Sequence, residues 1–456
     1  FNSGVKKLET MNTDWFDLLF ENPFSHSHNI SVSGGSDKST YRFSFGITNN
    51  NGTAKGNDSE TYNGSMNIST IFKEKLTLMA SLAGSMTKTN GFNGTDPYQY
   101  AYSMSRAIPC YNEDGSLFYY KDASGYNFNI LNELANMANK NRQLSMNANL
   151  NATYDIIPGL KYALTFAYSA SSTHAEAWAA ELSNSIAQIR GYEFGEYGAT
   201  DDAYKQSKLP HGGKLDQNET RMESWTLRNQ VSFVRTFNRH LVTATIGQES
   251  RSTRNEAYAE TIYGYLPSRG KSIMSPPITV QNSFNSGVQI ANTLYEEMGQ
   301  KITDNISNYL SYYATLDYSF DERYSLNSSI RWDASNRFGE DKNARYQPVW
   351  SVGLRYNFGR EHFMKNQRII NDLSFRFSYG FQGNDLIAAI PGSGGVTVSD
   401  GEYYLTISKL PNPTLKWEKN KSINLGVDFT LLNRHISGTF EYYYKRGTDI
   451  VVNASV

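Results

Sequence analysis

Two short segments contain residue types that bind metal ions. His26 and His28 form an H-x-H pair, but no acidic residue or cysteine nearby completes a metal site. The segment YNEDGS at 111–116 offers oxygen ligands like half of a calcium-binding loop, yet it lacks the glutamate expected at the twelfth position. A turn on Asp114 and Gly115 accounts for its composition. We therefore expect no metal ion or cofactor, with calcium at this loop as the alternative that stays open.

No group of residues in the chain has the spacing of a catalytic site. A nucleophile needs an adjacent base, and general acid–base chemistry needs a pair of titratable side chains in one place. Neither arrangement can be identified in the sequence. The sequence therefore predicts a protein that is not an enzyme.

Aromatic residues suggest a different chemistry, that of ligand binding. The chain has 32 tyrosines, and many lie in three long segments without a regular pattern. Aromatic faces stack on sugar rings and on peptide side chains, and the phenol hydroxyl keeps them tolerable in water. The same residues could instead pack the segments against each other or against a partner protein. The predicted ligand-binding residues are Tyr98, Tyr100, Tyr102, Arg106, Tyr119, Tyr120, Trp178 and Arg190.

The elements that would position these residues are β-strands. In INLGVDFTLLNRHISGTFEYYY (423–444), apolar and polar residues alternate, four residues interrupt the pattern, and the alternation then resumes. Period two is typical of strands with one apolar face. LSMNANLNATYDI (144–156) and LSFRFSYGF (373–381) have the same pattern. About 14 such strands are expected, most of them longer than the usual five or six residues.

The connections between strands alternate between short and long. Tight turns are predicted near 34–38, 72–75, 156–159, 237–240, 320–323 and 431–434. The long connections fall at 88–142, 171–219, 257–305 and 382–415. In an up-and-down meander, alternate connections lie at opposite ends, so every long loop should lie at one end, as in transmembrane barrels. Four phenylalanines each precede a charged turn and fall on the apolar face of their strand: Phe72, Phe237, Phe320 and Phe358. Such a belt of aromatic residues at one depth is typical of a membrane interface.

Composition decides between the remaining classes of protein. The net charge is −1 and no basic cluster occurs, so nucleic acid is not an expected partner. No apolar run approaches the ~18 residues of a membrane-spanning helix, and one cysteine cannot form an intramolecular disulfide. Strands of at least about 9 residues and long loops favour a bilayer barrel over a soluble sandwich. The chain begins at Phe1 without a signal peptide, so we expect part of a longer protein.

The polar face of such a barrel would line an aqueous lumen. Its charges are mixed in sign, which suggests a neutral or zwitterionic cargo. The residues predicted to face the lumen are Arg42, Arg331, Asp333, Arg376, Asp428 and Glu441.

Several segments together resemble the SusC/RagA family of TonB-linked outer-membrane transporters. NPTLKWEKNKSINLGVDFTLLNRHISGTFEYYYKRGTDIV (412–451) is similar to the late-barrel signature of that family. NTDWFDLLF (12–20) with HNISVSGGSDKSTYRFSFGI (28–47) resembles the early barrel, while SSIRWDASNRFG (328–339) and LSFRFSYGFQGN (373–384) resemble central strands. The segments occur in the family's order and span essentially the whole chain.

The resemblance implies an all-β, antiparallel, up-and-down transmembrane barrel of about 22 strands in the outer membrane of a Gram-negative bacterium. It also implies import of oligosaccharides or peptides, a SusD-like surface lipoprotein as a lid, and energy from TonB–ExbB–ExbD acting through a plug. Residues 1–456 would be part of that barrel, without the plug and the final strands. A passive porin-like channel and a surface-exposed β adhesin remain the alternatives, and glycan and peptide cargo cannot be separated.

Overall fold

The computed structural model describes residues 11–274, 300–336, 347–364, 369–384, 394–399, 402–407 and 418–450. Its main feature is one large antiparallel sheet in which fourteen strands follow each other in sequence order, with the short β11 pairing only with β10. This confirms the all-β, up-and-down architecture and the expected number of strands. Among the described residues, no helix has the length and apolar character needed to cross a bilayer.

The strands are β1 Ser25–Gly35, β2 Ser39–Asn51, β3 Asp58–Phe72, β4 Leu76–Gly91, β5 Tyr120–Lys121, β6 Asn127–Phe128, β7 Met137–Ile157, β8 Leu160–Ala179, β9 Gly213–Phe237, β10 His240–Leu266, β11 Ser272–Ile273, β12 Lys301–Phe320, β13 Tyr324–Ser335, β14 Gln347–Asn357, β15 Ile370–Asn384, β16 Gly394–Ser399, β17 Glu402–Ile407, β18 Glu418–Leu431 and β19 Ile436–Thr448. The helices are α1 Trp15–Leu19, α2 Pro97–Ser103, α3 Ile130–Asn136, α4 Asn184–Arg190 and α5 Asp202–Gln206, with 3₁₀ turns at Phe358–Arg360 and His362–Met364. The pairs β5–β6 and β16–β17 form two small separate hairpins.

The tight turns all lie at one end of the sheet. Several connect adjacent strands through residues with positive φ, such as Lys73 and Glu74 (φ 47° and 58°) and Asp321 and Glu322 (φ 53° and 54°). Two consecutive left-handed residues match the right-handed twist of the flanking strands, which is why such hairpins close tightly. The long connections therefore all leave from and return to the opposite end of the described strands, as the alternation predicts.

The strand register separates two faces of the sheet. Leu425 pairs with Phe377 of β15 and with Tyr442 of β19, and all three are exposed on the apolar face. Asn424, one residue earlier, pairs with Ser378 and Tyr443 on the opposite, polar face. Paired residues share a face across an antiparallel sheet, so this assignment extends from strand to strand along the whole path.

Aromatic residues line the turn end of the apolar face. Phe72, Phe237 and Phe320 are the last residues of β3, β9 and β12, and Phe358 begins a 3₁₀ turn after β14. Tyr324 stacks between Phe320 and Tyr356, with ring centroids 6.3 and 5.0 Å apart. The four phenylalanines thus share the outward parity predicted for them.

The strands are longer than the sequence pattern predicts, so the loops are shorter. The expected loop 88–142 narrows to 92–136 between β4 and β7, and 171–219 narrows to 180–212 between β8 and β9. β10 continues to Leu266 and β12 begins at Lys301, inside the expected loop 257–305. Residues 275–299, and most of the expected loop 382–415, lie outside the described residues. A strand of 27 residues such as β10 exceeds the about 11 that cross a bilayer, so its upper part extends beyond the hydrocarbon, where alternation is not required.

Candidate ligand-binding surfaces

Part of the chain at the long-loop end folds around a buried apolar cluster. Trp15, Leu19, Ala101, Cys110 and Ile130 form a buried cluster that joins α1, α2 and α3. The indole Nε1 of Trp15 donates to the carbonyl of Ser105 at 3.2 Å.

Three polar side chains start the short helices of this part of the chain. Asp14, Asp96 and Asn129 accept hydrogen bonds from the first amides of α1, α2 and α3. N-caps of this kind supply the acceptors that the first helical amides lack. An acidic or amide residue just before an apolar segment is the sequence signal that could have located these helices.

The two long loops are tied to each other through Glu133, which is 2% exposed. Its carboxylate accepts the backbone amide of Asn184 at 3.0 and 3.1 Å and the amide of Asn132 at 3.0 Å. Burial raises the pKa of Glu133 above its ordinary value, although the Asn184 amide opposes that effect. A second link runs from Lys121 to Glu193 at 3.0 Å. Sequence reasoning missed both links, because their partners lie far apart in the chain.

The eight predicted ligand-binding residues are not brought together into one site. Tyr98 and Tyr102 are 59% and 75% exposed on α2, one helical turn apart. Arg106 is exposed but forms an ion pair with Asp14 at 2.8 Å. Amides of α1, together with Arg106, hold the pKa of Asp14 below its ordinary value. Tyr98 and Tyr102 therefore remain the accessible aromatic groups of this helix.

Two of the predicted tyrosines are packing residues. The ring of Tyr100 lies edge-on to Trp15, with centroids 5.1 Å apart, and stacks on Phe128 at 5.8 Å. Tyr120 contacts the same Phe128 at 5.7 Å. Burial raises the pKa of the Tyr100 phenol, which is consistent with an interior position. Tyr100 and Tyr120 therefore pack the loop segments against each other, which is the alternative to ligand binding.

Trp178 and Arg190 occupy positions that differ from the prediction. Trp178 lies in β8, not in a loop, and its register places it on the apolar face. Arg190 is 2% exposed and donates to the carbonyl of Glu181 at 2.6 Å. Its guanidinium also covers the rings of Tyr192 and Phe194. In this conformation Arg190 holds the loop together and is closed to direct contact with a large ligand.

A small cavity lies between the two loops. It is lined by Tyr119, Asn132, Asn184, Arg190 and Phe194, among others, and its volume is about 190 Å³. Tyr119 donates from its hydroxyl to Asn132 at 3.2 Å. Pockets for drug-sized ligands are usually about 300 to 1,000 Å³, so this cavity is too small for an oligosaccharide or a peptide.

The two segments considered for metal binding make other contacts in the structure. Residues 111–116 fold as a turn in which the amide and hydroxyl of Ser116 donate to Asp114 at 3.0 and 2.6 Å. These hydrogen bonds lower the pKa of Asp114. The rings of His26 and His28 contact each other at a tilt, with centroids 5.2 Å apart, on the apolar face of β1. Within the described part of the chain, no three His, Cys, Asp or Glu side chains come together as a metal-binding group.

The six predicted lumen residues do share one face, the polar face of the sheet. Arg331 is paired with Asp333 at 2.7 Å and with Glu249 at 3.4 Å. Glu249 also pairs with Arg228 at 2.5 Å. The charges of this first network cancel.

A second network on the polar face is balanced in the same way. Arg376 contacts Asp428 at 2.9 Å and Glu441 at 2.8 Å. Arg355 lies 3.9 Å from the same Asp428. Pairs with this exposure contribute about 0.2 to 1 kcal/mol each, so their main effect is to neutralise the wall. Arg42 differs from these arginines, because no carboxylate partner occurs for it among the described residues.

Comparison with known proteins gives one consistent family. The family described as TonB dependent receptor-like, beta-barrel matches residues 111–456. The TonB-dependent receptor SusC of Bacteroides thetaiotaomicron is 25% identical over 483 residues, covering 98% of this chain and 44% of the relative. TonB-dependent receptor P26 of Formosa agariphila is 24% identical over 457 residues, covering 98% of this chain and 42% of the relative.

A solved structure described as the RagAB peptide transporter has the same fold. It superposes with a TM-score of 0.71 at 20% identity, covering 98% of this chain and 47% of that chain. The chain thus spans less than half the length of each of these three proteins.

Proposed function

The chain belongs to the TonB dependent receptor-like β-barrel family, and we propose that it forms the wall and extracellular loops of a TonB-dependent importer. Family membership places the protein in the outer membrane, and the matched relatives are receptors and transporters rather than enzymes. We assign residues 1–456 to part of a single barrel domain within a longer protein.

One observation carries this proposal: a fourteen-strand antiparallel path with an apolar face, a polar face and every long connection at one end. A bilayer requires apolar side chains on the outside, while an aqueous passage requires polar ones inside. The two long loops 92–136 and 180–212, together called the loop body, then lie at the extracellular mouth. In this position the loops meet a cargo before the wall does.

We propose an oligosaccharide or a peptide as the cargo. The two ion-pair networks neutralise their own parts of the wall, which suits a neutral or zwitterionic molecule. The exposed Tyr98 and Tyr102 on α2 offer stacking surfaces at the mouth. The solved relative is described as a peptide transporter, and peptide is therefore one of the two cargo classes to test.

We further propose a SusD-like surface lipoprotein as the lid and TonB–ExbB–ExbD as the source of energy. The aromatic surface of Phe16, Tyr98 and Tyr102 faces outward at the loop end, where a lid would dock. Contact with TonB would be made through a plug in the longer protein. Besides that aromatic surface, this part of the proposal is supported by the family and by the likeness to SusC.

The test compares tyrosines on α2 in the full-length parent. Changing both Tyr98→Ala and Tyr102→Ala removes two stacking groups worth about 0.5 to 1.5 kcal/mol each, so uptake at limiting cargo should fall roughly fivefold or more. The matched control is Tyr100→Ala on the same helix, which should loosen the loop body instead. The measurements are growth on oligosaccharide or peptide as sole carbon source and surface detection of the folded barrel.

Two results would contradict the proposal. Full growth of the Tyr98/Tyr102 double variant would show that recognition lies elsewhere. Unchanged uptake in a strain without TonB would indicate a passive channel instead of an energised importer. A wall substitution such as Ser329→Ala, which removes a hydrogen bond to Ser351, should change uptake only slightly.

A further inference from the structure

A concave surface occurs on the polar face near the turn end of strands β1 to β4. Its volume is about 640 Å³, and its lining includes Ser33, Arg42, Asn67, Ser81 and Asn151. Four of these residues form one cross-strand row, since Arg42 pairs with Ser33 and Asn67, and Asn67 pairs with Ser81. Directly opposed side chains have Cβ atoms only about 5 Å apart, so one small group can contact several of them.

Arg42 is the charged member of this row and is exposed. Arg331 and Arg376 on the same face each contact two carboxylates. For Arg42, by contrast, neither an ion pair nor a side-chain hydrogen bond occurs among the described residues. A guanidinium has five N–H donors arranged in a planar fork, which suits a carboxylate or a phosphate.

The neighbours of Arg42 also favour an anion. No Asp or Glu lines the concave surface. The side-chain oxygen of Asn151 already accepts from Thr165 at 2.8 Å, so its NH₂ group remains to donate. Hydroxyls of Ser33 and Ser81 can donate as well. Several donors and one uncompensated positive charge therefore face the same space.

We propose that the surface around Arg42 binds an anionic group, either a carboxylate or a phosphate. The group is carried by a free solute in the passage or by an acidic side chain elsewhere in the full-length protein. The inference deepens the proposed function, because it uses the polar face as the wall of an aqueous passage. Binding is measured on purified protein, so its failure leaves the import proposal standing, and a failure of import does not affect the binding result.

The experiment measures the reactivity of Arg42 in the purified full-length parent in detergent. The arginine reagent p-hydroxyphenylglyoxal is added with sodium phosphate, sodium succinate or sodium chloride at equal ionic strength, and modified peptides are quantified by mass spectrometry. Arg251 is the matched control, since it lies exposed on the same face and covers the ring of Tyr309. We expect phosphate or succinate to slow modification of Arg42 about fivefold, the factor that corresponds to a strong exposed ion pair, with no effect at Arg251.

A second measurement identifies an anion supplied by the protein itself. In that case Arg42 is shielded before any anion is added, and Arg42→Glu unfolds at a lower temperature than Arg42→Gln because like charges then meet. Either pattern supports the proposal and names the source. The proposal is overturned if Arg42 is unshielded in sodium chloride and reacts just as fast in phosphate and in succinate. It is also overturned if Arg42 is shielded while Arg42→Glu is as stable as Arg42→Gln.

Discussion

Substituting arginine at two adjacent positions of β18 tests which face of the sheet meets lipid. Leu425 is 47% exposed on the apolar face, beside Phe377 and Tyr442. Asn424 lies one residue earlier on the polar face. Leu425→Arg and Asn424→Arg introduce the same side chain into the same strand, so intrinsic strand propensity is matched and mainly the environment differs.

The position of Leu425 along the strand sets the size of the effect. It lies six residues from Leu431, the last residue of β18. Each residue rises about 3.3 Å along a strand, and a tilt of about 40° leaves roughly 2.5 Å along the barrel axis. Leu425 is then about 15 Å from the turn end, near the middle of an apolar band about 25 Å tall.

Arginine near the bilayer midplane costs about 2 to 4 kcal/mol on the lipid-facing side. For Leu425→Arg we expect about 3 kcal/mol, which lowers the folding equilibrium constant roughly a hundredfold. For Asn424→Arg we expect less than about 0.5 kcal/mol, because the new side chain enters the aqueous side.

The assay uses the full-length parent refolded into phospholipid vesicles. Denaturant unfolding followed by tryptophan fluorescence gives the free energy of unfolding for each variant. If unfolding proves irreversible, the fraction of heat-modifiable barrel in outer-membrane preparations replaces it. Equal tolerance of arginine at Leu425 and Asn424 would refute the interpretation that one face of the sheet meets lipid and the other meets water.

Three further predictions follow from other parts of the structure. Replacing Arg376 by Met removes the guanidinium partner of Glu441 and leaves Asp428 with Arg355 at 3.9 Å. This change should lower the free energy of unfolding by about 1 kcal/mol, whereas the double change Arg376→Met/Asp428→Asn should cost less than the sum of its parts. Burial raises the pKa of Glu133 above the ordinary 4.5, so the loop body should lose stability as pH rises from 4.5 through that raised pKa. Hydrogen exchange of the loop amides, corrected for the intrinsic effect of pH on exchange rates, should detect this loss of stability. The substitution Glu133→Gln should abolish the pH dependence. Along the described path of the large sheet, the end strands β1 and β19 each have a single partner. Unpaired backbone N–H and C=O groups at such edges cost several kcal/mol each in hydrocarbon, so the isolated 456-residue chain should elute as aggregates in detergent. A monodisperse, heat-modifiable monomer would contradict this prediction.

The sequence correctly predicts the strands where they cross the apolar band, and the face that each residue occupies. Leu425 and Asn424, or Phe375 and Arg376, are assigned to opposite faces by alternation alone. The reason is physical and local: lipid on one side and water on the other impose period two on every strand. The phenylalanines before the turns follow from the same rule, since the membrane interface selects aromatic residues at one depth.

Only the tertiary structure determines where the strands end and which side chains meet. β10 continues to Leu266 and Trp178 belongs to β8, because hydrogen bonds to neighbouring strands continue the ladder after the bilayer ceases to impose alternation. Arg190 is buried among rings of its own loop, and Glu133 meets Asn184, 51 residues later. Arg376 likewise meets Asp428 across 52 residues of chain. These contacts depend on register and on packing between distant segments, and a local pattern contains neither.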